Sequence, residues 1–227
     1  MRKSGVLFII LGLLTIVGIY FAVTYTFPEI EVLQFYQQID EEIVSCEKKS
    51  DQTIEEILNE LNKTVSQTIE TGRTFDGSQS MDEIFNTFNE QYAVLKSYNE
   101  KVIPMMDEKI QKVKFDKIEK VASRLPENLS KLGQQLSILQ QERIAALIDL
   151  NKEIKKLTEE LAPFEDNFYS LKTSDAVQYF QSVATIFNEV EKNHEKYNET
   201  IKNYYAVKAE YYECIANKGV LDYILKK

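Results

Sequence analysis

Residues 193–214 read NHEKYNETIKNYYAVKAEYYEC, and the spacing of the tyrosines in this stretch decides the fold. Tyr197, Tyr204 and Tyr211 recur with a heptad period, and Tyr205 and Tyr212 repeat it one position on. Worked outward, Phe187, Val190, His194, Tyr197, Ile201, Tyr204, Lys208, Tyr211 and Ile215 alternate steps of three and four residues. That alternation is the seam of a long helix packed against other helices. The tyrosine doublets widen the apolar face beyond one seam, so this helix is expected to touch two neighbours. A tyrosine ring can be buried while its hydroxyl keeps a polar partner. The ladder is therefore read as core and flank, with Lys208 snorkelling from the seam. Tyr205 and Tyr212, the flanking members, are the candidate partner-binding residues.

The same reading extends upstream. Ile54, Ile57, Leu61, Val65 and Ile69 form a stripe in a first segment over 29–70, with a break expected near 47–53, where Thr53 and Glu56 form a capping box. A second segment opens with the Ser80–Glu83 capping box and carries Ile84, Phe88, Tyr92, Leu95, Val102, Met106, Ile110 and Val113, with a kink at Pro104. A third gives Leu129, Leu132, Leu136 and Leu139, then Leu147, Leu150, Ile154, Leu157 and Leu161, its eight-residue join resembling a stutter. The connections are placed at 71–80, at 123–128 around Pro126, and at 162–175, opened by Pro163. At 1.5 Å per residue each segment spans roughly 50–65 Å. Short connections make neighbours antiparallel. The fold class is all-α: an N-terminal transmembrane helix followed by an elongated antiparallel three- or four-helix bundle or coiled coil. In the three-helix form, segment one is a separate stalk.

The first 27 residues differ from the rest. Val6 to Phe27 runs without a charge behind the basic flank MRKSG. Roughly 20 apolar residues span the hydrocarbon core as a helix. The run is longer than a signal-peptide core and lacks an Ala-x-Ala site, so it reads as an uncleaved anchor. Arg2 and Lys3 precede it and Glu29 and Glu31 follow it, so the N-terminus is expected in the cytoplasm and the body outside. The domains are then 1–27, a cytoplasmic stub and transmembrane anchor, and 28–227, an extracytoplasmic helical bundle.

Composition narrows the function classes. The formal net charge is -9, which repels phosphate backbones and speaks against nucleic acid as a partner. His194, the single histidine, follows Glu191 at i+3, but a di-iron carboxylate bundle needs two such motifs. No nucleophile motif or phosphate-cradling glycine loop is readable, so neither an enzyme nor a cofactor is expected. Cys46 and Cys214 are an even count outside the cytoplasm, which favours a disulfide, whereas helix register separates them by roughly 24 Å. Bridge and free thiols both remain open. Phe75, at the tip of the 71–80 loop, is the third candidate contact residue.

The run NHEKYNETIKNYYAVKAEYYE resembles the end of cell-wall-binding lipoproteins of Gram-positive bacteria, which are membrane-tethered, elongated helical proteins. The resemblance covers about a tenth of the chain and implies an envelope role without transferring a binding residue. This chain departs from the family in having no lipid-modified cysteine after the apolar run. The function expected is that of a single-pass, membrane-anchored binding or scaffolding module. Its partner would be a protein, an envelope polymer or a second copy of itself. The alternative is a sensory or accessory subunit that binds a ligand and modulates another membrane protein.

Overall fold

The computed structural model describes residues 27–73, 81–167 and 173–216, and every regular element among them is helical. We number them α1 (Pro28–Glu47), α2 (Ile54–Arg73), α3 (Met81–Ser97), α4 (Ile103–Gln111), α5 (Phe115–Ala122), α6 (Glu127–Asn167) and α7 (Thr173–Ala216). A π-helical turn, Tyr98–Val102, joins α3 to α4. The apolar run at the N-terminus lies outside the described residues. Among those described, no helix is long and apolar enough to cross a membrane.

The antiparallel pair α6 and α7 is the longest element of the molecule, and the other helices pack along it. In one half α2 and α3 form a hairpin, α2 resting on α7 and α3 on α6. In the other half α1 and α5 close the bundle against α7 and α6. Segment one is therefore part of the bundle and not a separate stalk. Its break falls where expected. The Thr53 amide donates to Glu56 Oε2 at 2.9 Å and the Glu56 amide to Thr53 Oγ1 at 3.2 Å, so a reciprocal capping box starts α2.

The helix continues past Pro104, and a π-turn just before it is how the helix absorbs the proline. Proline has no N–H to give the carbonyl four residues back, and its ring crowds that carbonyl. The ladder loosens just before it: the Ile103 amide bonds to Tyr98 O, five residues back. Beyond the turn α4 passes from α6, where Lys155 pairs with Asp107 at 3.1 Å, to α1, where Lys109 and Lys112 lie beside Glu42.

Three boundaries differ from the sequence reading. Segment two does not run unbroken to 122; it stops at Gln111, and Lys114 adopts an extended conformation before α5. No glycine or proline marks this stop. Packing sets it, because Phe115 meets Phe35 edge-on at 5.8 Å while Ile118 and Ala122 turn into the core. Pro163 does not open the third connection; α6 continues through it to Asn167. Buried Phe164 lies 4.6 Å from Phe88 and 5.9 Å from Tyr179, and these contacts hold the last turns in place at the cost of one backbone hydrogen bond. Helix α2 also reaches Arg73, shortening the first connection. The Ser80 cap lies outside the described residues.

Candidate functional site

The C-terminal half of α7 divides its tyrosines as the heptad spacing implies. Tyr197, Tyr204 and Tyr211 are buried, whereas Tyr205 is 42% and Tyr212 59% exposed. Two of the buried members are tied to α1. Tyr211 donates its hydroxyl to Glu29 O at 3.1 Å, and Tyr204 donates to Asp40 Oδ2 at 3.1 Å. Burial and the Asp40 charge push the Tyr204 phenol far above its ordinary value, so it stays a neutral donor.

Beneath the exposed Tyr205 lies an ion cluster that joins three helices. Asp40 of α1 accepts from Arg143 Nη1 of α6 at 2.5 Å through Oδ1, and from Lys208 Nζ of α7 at 2.7 Å through Oδ2. Asp40 and Arg143 are deeply buried, while the Lys208 side chain keeps 17% of its surface. The Arg143 guanidinium stands 5.3 Å from the Tyr204 ring centre and 5.6 Å from that of Tyr205; Lys208 Nζ stands at 5.6 and 5.7 Å from the same rings. Two cations therefore share one carboxylate and two aromatic faces, which is a cation–π arrangement. Arg143 Nε and Gln140 Nε2 find no protein partner among the described residues. Such a cluster is a weak source of net stability, because the desolvation of its charges offsets their pairing.

Sequence reasoning found Lys208 but missed its partners. The eight-residue join between Leu139 and Leu147 has a middle position, residue 143, on the seam. A charged residue at that place was the available signal. Asp40 lies among Tyr36, Ile39 and Ile43 in the same way, on the inner face of α1. A seam that carries Asp, Arg and Lys on three different helices is a matched set, legible only once the helices are aligned.

The remaining candidates separate. Tyr205 and Tyr212 are brought together as one exposed strip on α7. Phe75 lies outside the described residues. Cys46 is a buried free thiol and Cys214 a half-buried one. The Tyr204–Asp40 and Tyr211–Glu29 contacts fix the register of α7 on α1, and on it the two thiols stand roughly 25 Å apart along the axis. Burial raises the Cys46 thiol above its ordinary value, which disfavours the nucleophilic thiolate. His194 contacts Asn198 at 3.5 Å beside α2, and no cluster among the described residues is suited to a metal.

A cleft of about 530 Å³ opens on the opposite side of α1, between it and the α4–α5 elbow. Its floor is apolar, with Phe35, Ile39, Val113 and Ile118; Lys109, Lys112, Lys114 and Lys117 form the elbow wall and face Glu31 and Glu42 on the α1 wall.

Comparison with known proteins finds no family model, no curated protein and no solved structure that matches this chain.

Proposed function

We propose that this chain is a membrane-anchored helical-bundle module whose outer helix α7 grips a protein partner or an envelope polymer. One observation carries the reading: each tyrosine doublet is split, its inner ring locked to α1 and its outer ring left in solvent. Tyr205 and Tyr212 present two rings one heptad apart, beside the cationic head of Lys208. Aromatic rings with few rotatable bonds give large contact area at low entropic cost, which is why they dominate binding hot spots. The ion cluster beneath holds Tyr205 in place, so the strip is preorganised. Anchoring rests on the charge-free run Val6–Phe27 and the basic residues before it. The two clefts beside the α4–α5 elbow open to solvent, which favours contact with a macromolecule over enclosure of a small ligand, as a sensory subunit would need.

The test is photocrosslinking in intact cells, with a photoreactive residue at Tyr205 or Tyr212 in turn and at exposed Glu159 of α6 as a control. Discrete protein adducts, or adducts to surface polymer, at the two tyrosine positions but not at Glu159 are expected. Equal background at all three positions would remove α7 as the contact surface.

A further inference from the structure

The chain is acidic as a whole, yet residues 109–124 carry six basic side chains (Lys109, Lys112, Lys114, Lys117, Lys120 and Arg124) against two acidic ones, Asp116 and Glu119. The fold gathers them on the α4–α5 elbow. Phe115, Ile118 and Ala122 bind its inner face to the core, so the basic residues are turned outward. Lys114, Lys120 and Arg124 are exposed and form no ion pair among the described residues. Lys117 is 84% exposed and makes only a long 3.8 Å contact with Glu31. Glu119 is occupied by Ser137 at 2.6 Å and Gln141 at 3.1 Å.

The height of this elbow is fixed by the same contacts. Lys117 is level with Glu31, and the α5–α6 turn lies lower still, because Gly133 just beyond it packs beside Tyr211, which is bonded to Glu29. Glu31 is four residues beyond the end of the apolar run, roughly 6 Å along a helix. The headgroup layer on each side of the hydrocarbon core is about 5–7 Å thick. Lys117 and Lys120 therefore fall at headgroup depth, and Lys114 within one Debye length of it, about 8–10 Å; Arg124, seven residues beyond Lys117, falls roughly 10 Å lower, at the hydrocarbon boundary, from which its long side chain reaches back to the phosphates.

We propose that the elbow is a basic foot that binds the phosphates of anionic lipids in the membrane from which the bundle rises. This rests on the anchored reading above. The acidic remainder of the bundle is repelled by the same lipid charge, so attraction at the foot and repulsion elsewhere together hold the bundle upright.

The test uses the full chain, with a photoreactive residue at Ser123 in the α5–α6 turn. The chain is reconstituted into vesicles of phosphatidylcholine alone or with about a third phosphatidylglycerol, and both flotation and lipid adducts are measured. Each basic residue near an anionic surface strengthens association about fivefold. Adduct yield at Ser123 is expected to rise at least tenfold with phosphatidylglycerol and to fall back in the K117E/K120E/R124E variant. The milder K117Q/K120Q/R124Q variant should fall between, and reversal of Lys156 and Lys192, far from the foot, should change nothing. Equal adducts in both vesicles, or adducts insensitive to the foot charges, in a chain that floats with both would overturn the foot and leave the anchor intact. Flotation with the anionic vesicles alone would overturn the anchor and keep the foot as a peripheral lipid site. A chain that floats with neither overturns both.

Discussion

At the scale of single residues, the Asp40–Arg143–Lys208 cluster governs the interior of the lower bundle. Removing its only carboxylate with Asp40→Asn leaves two buried cations facing each other, and breaking such a pair from one side costs about 3–5 kcal/mol. A urea titration should show the midpoint falling by the corresponding amount. Replacing all three charges with apolar residues of similar volume should cost far less, or nothing, because the desolvation penalty goes with them. The loss would appear as a less unique register, read as broadened tyrosine signals in NMR spectra. The buried phenols add a pH dependence. Burial raises Tyr36, Tyr98 and Tyr204 above their ordinary value of 10.0. In the unfolded chain they ionise near that value, whereas in the bundle they resist, so their contribution is complete below pH 10 and is lost as pH rises through the folded values. Alkaline titration followed at 295 nm should therefore show these buried tyrosines ionising only together with loss of helix.

At the scale of elements, helix existence was legible in the sequence and some helix ends were not. The Thr53–Glu56 box is a local signal and appears in the bundle as read. Thr53→Ala should lower stability by about 1 kcal/mol, measured by thermal or chemical unfolding, because one of the first amides of α2 loses its acceptor. The stop at Gln111 and the passage of α6 through Pro163 were not legible, since tertiary packing of Phe115 and Phe164 decides each. The placement of α5 depends on a small-residue contact that periodicity cannot show either. A Cβ on Gly133 would stand 3.0 Å from Ala122 Cβ, so α5 lies as close to α6 as a glycine permits. Gly133→Leu should push α5 off the bundle, costing about 2 kcal/mol or more through overpacking. Hydrogen exchange should then report loss of protection in 115–122 ahead of α6 and α7.

At the scale of the whole molecule, α7 works on two sides. Its inner tyrosines close the bundle on α1, and its outer tyrosines are free for a partner. The sequence made the strip legible because a heptad doublet must place one ring inside and one beside it. The support beneath was not legible, because Asp40, Arg143 and Lys208 are far apart in the chain and meet only when three helices align. The central claim is that Tyr205 and Tyr212 are a contact surface and not an idle edge of the core. Hydroxyl-radical footprinting of the chain reconstituted alone in lipid vesicles, compared with the chain in its native membranes, tests it most directly. The account predicts that Tyr197, Tyr204 and Tyr211 are unreactive in both, while Tyr205 and Tyr212 react in the reconstituted chain and are protected in the native membrane. Equal reactivity of Tyr205 and Tyr212 in the two settings would contradict it.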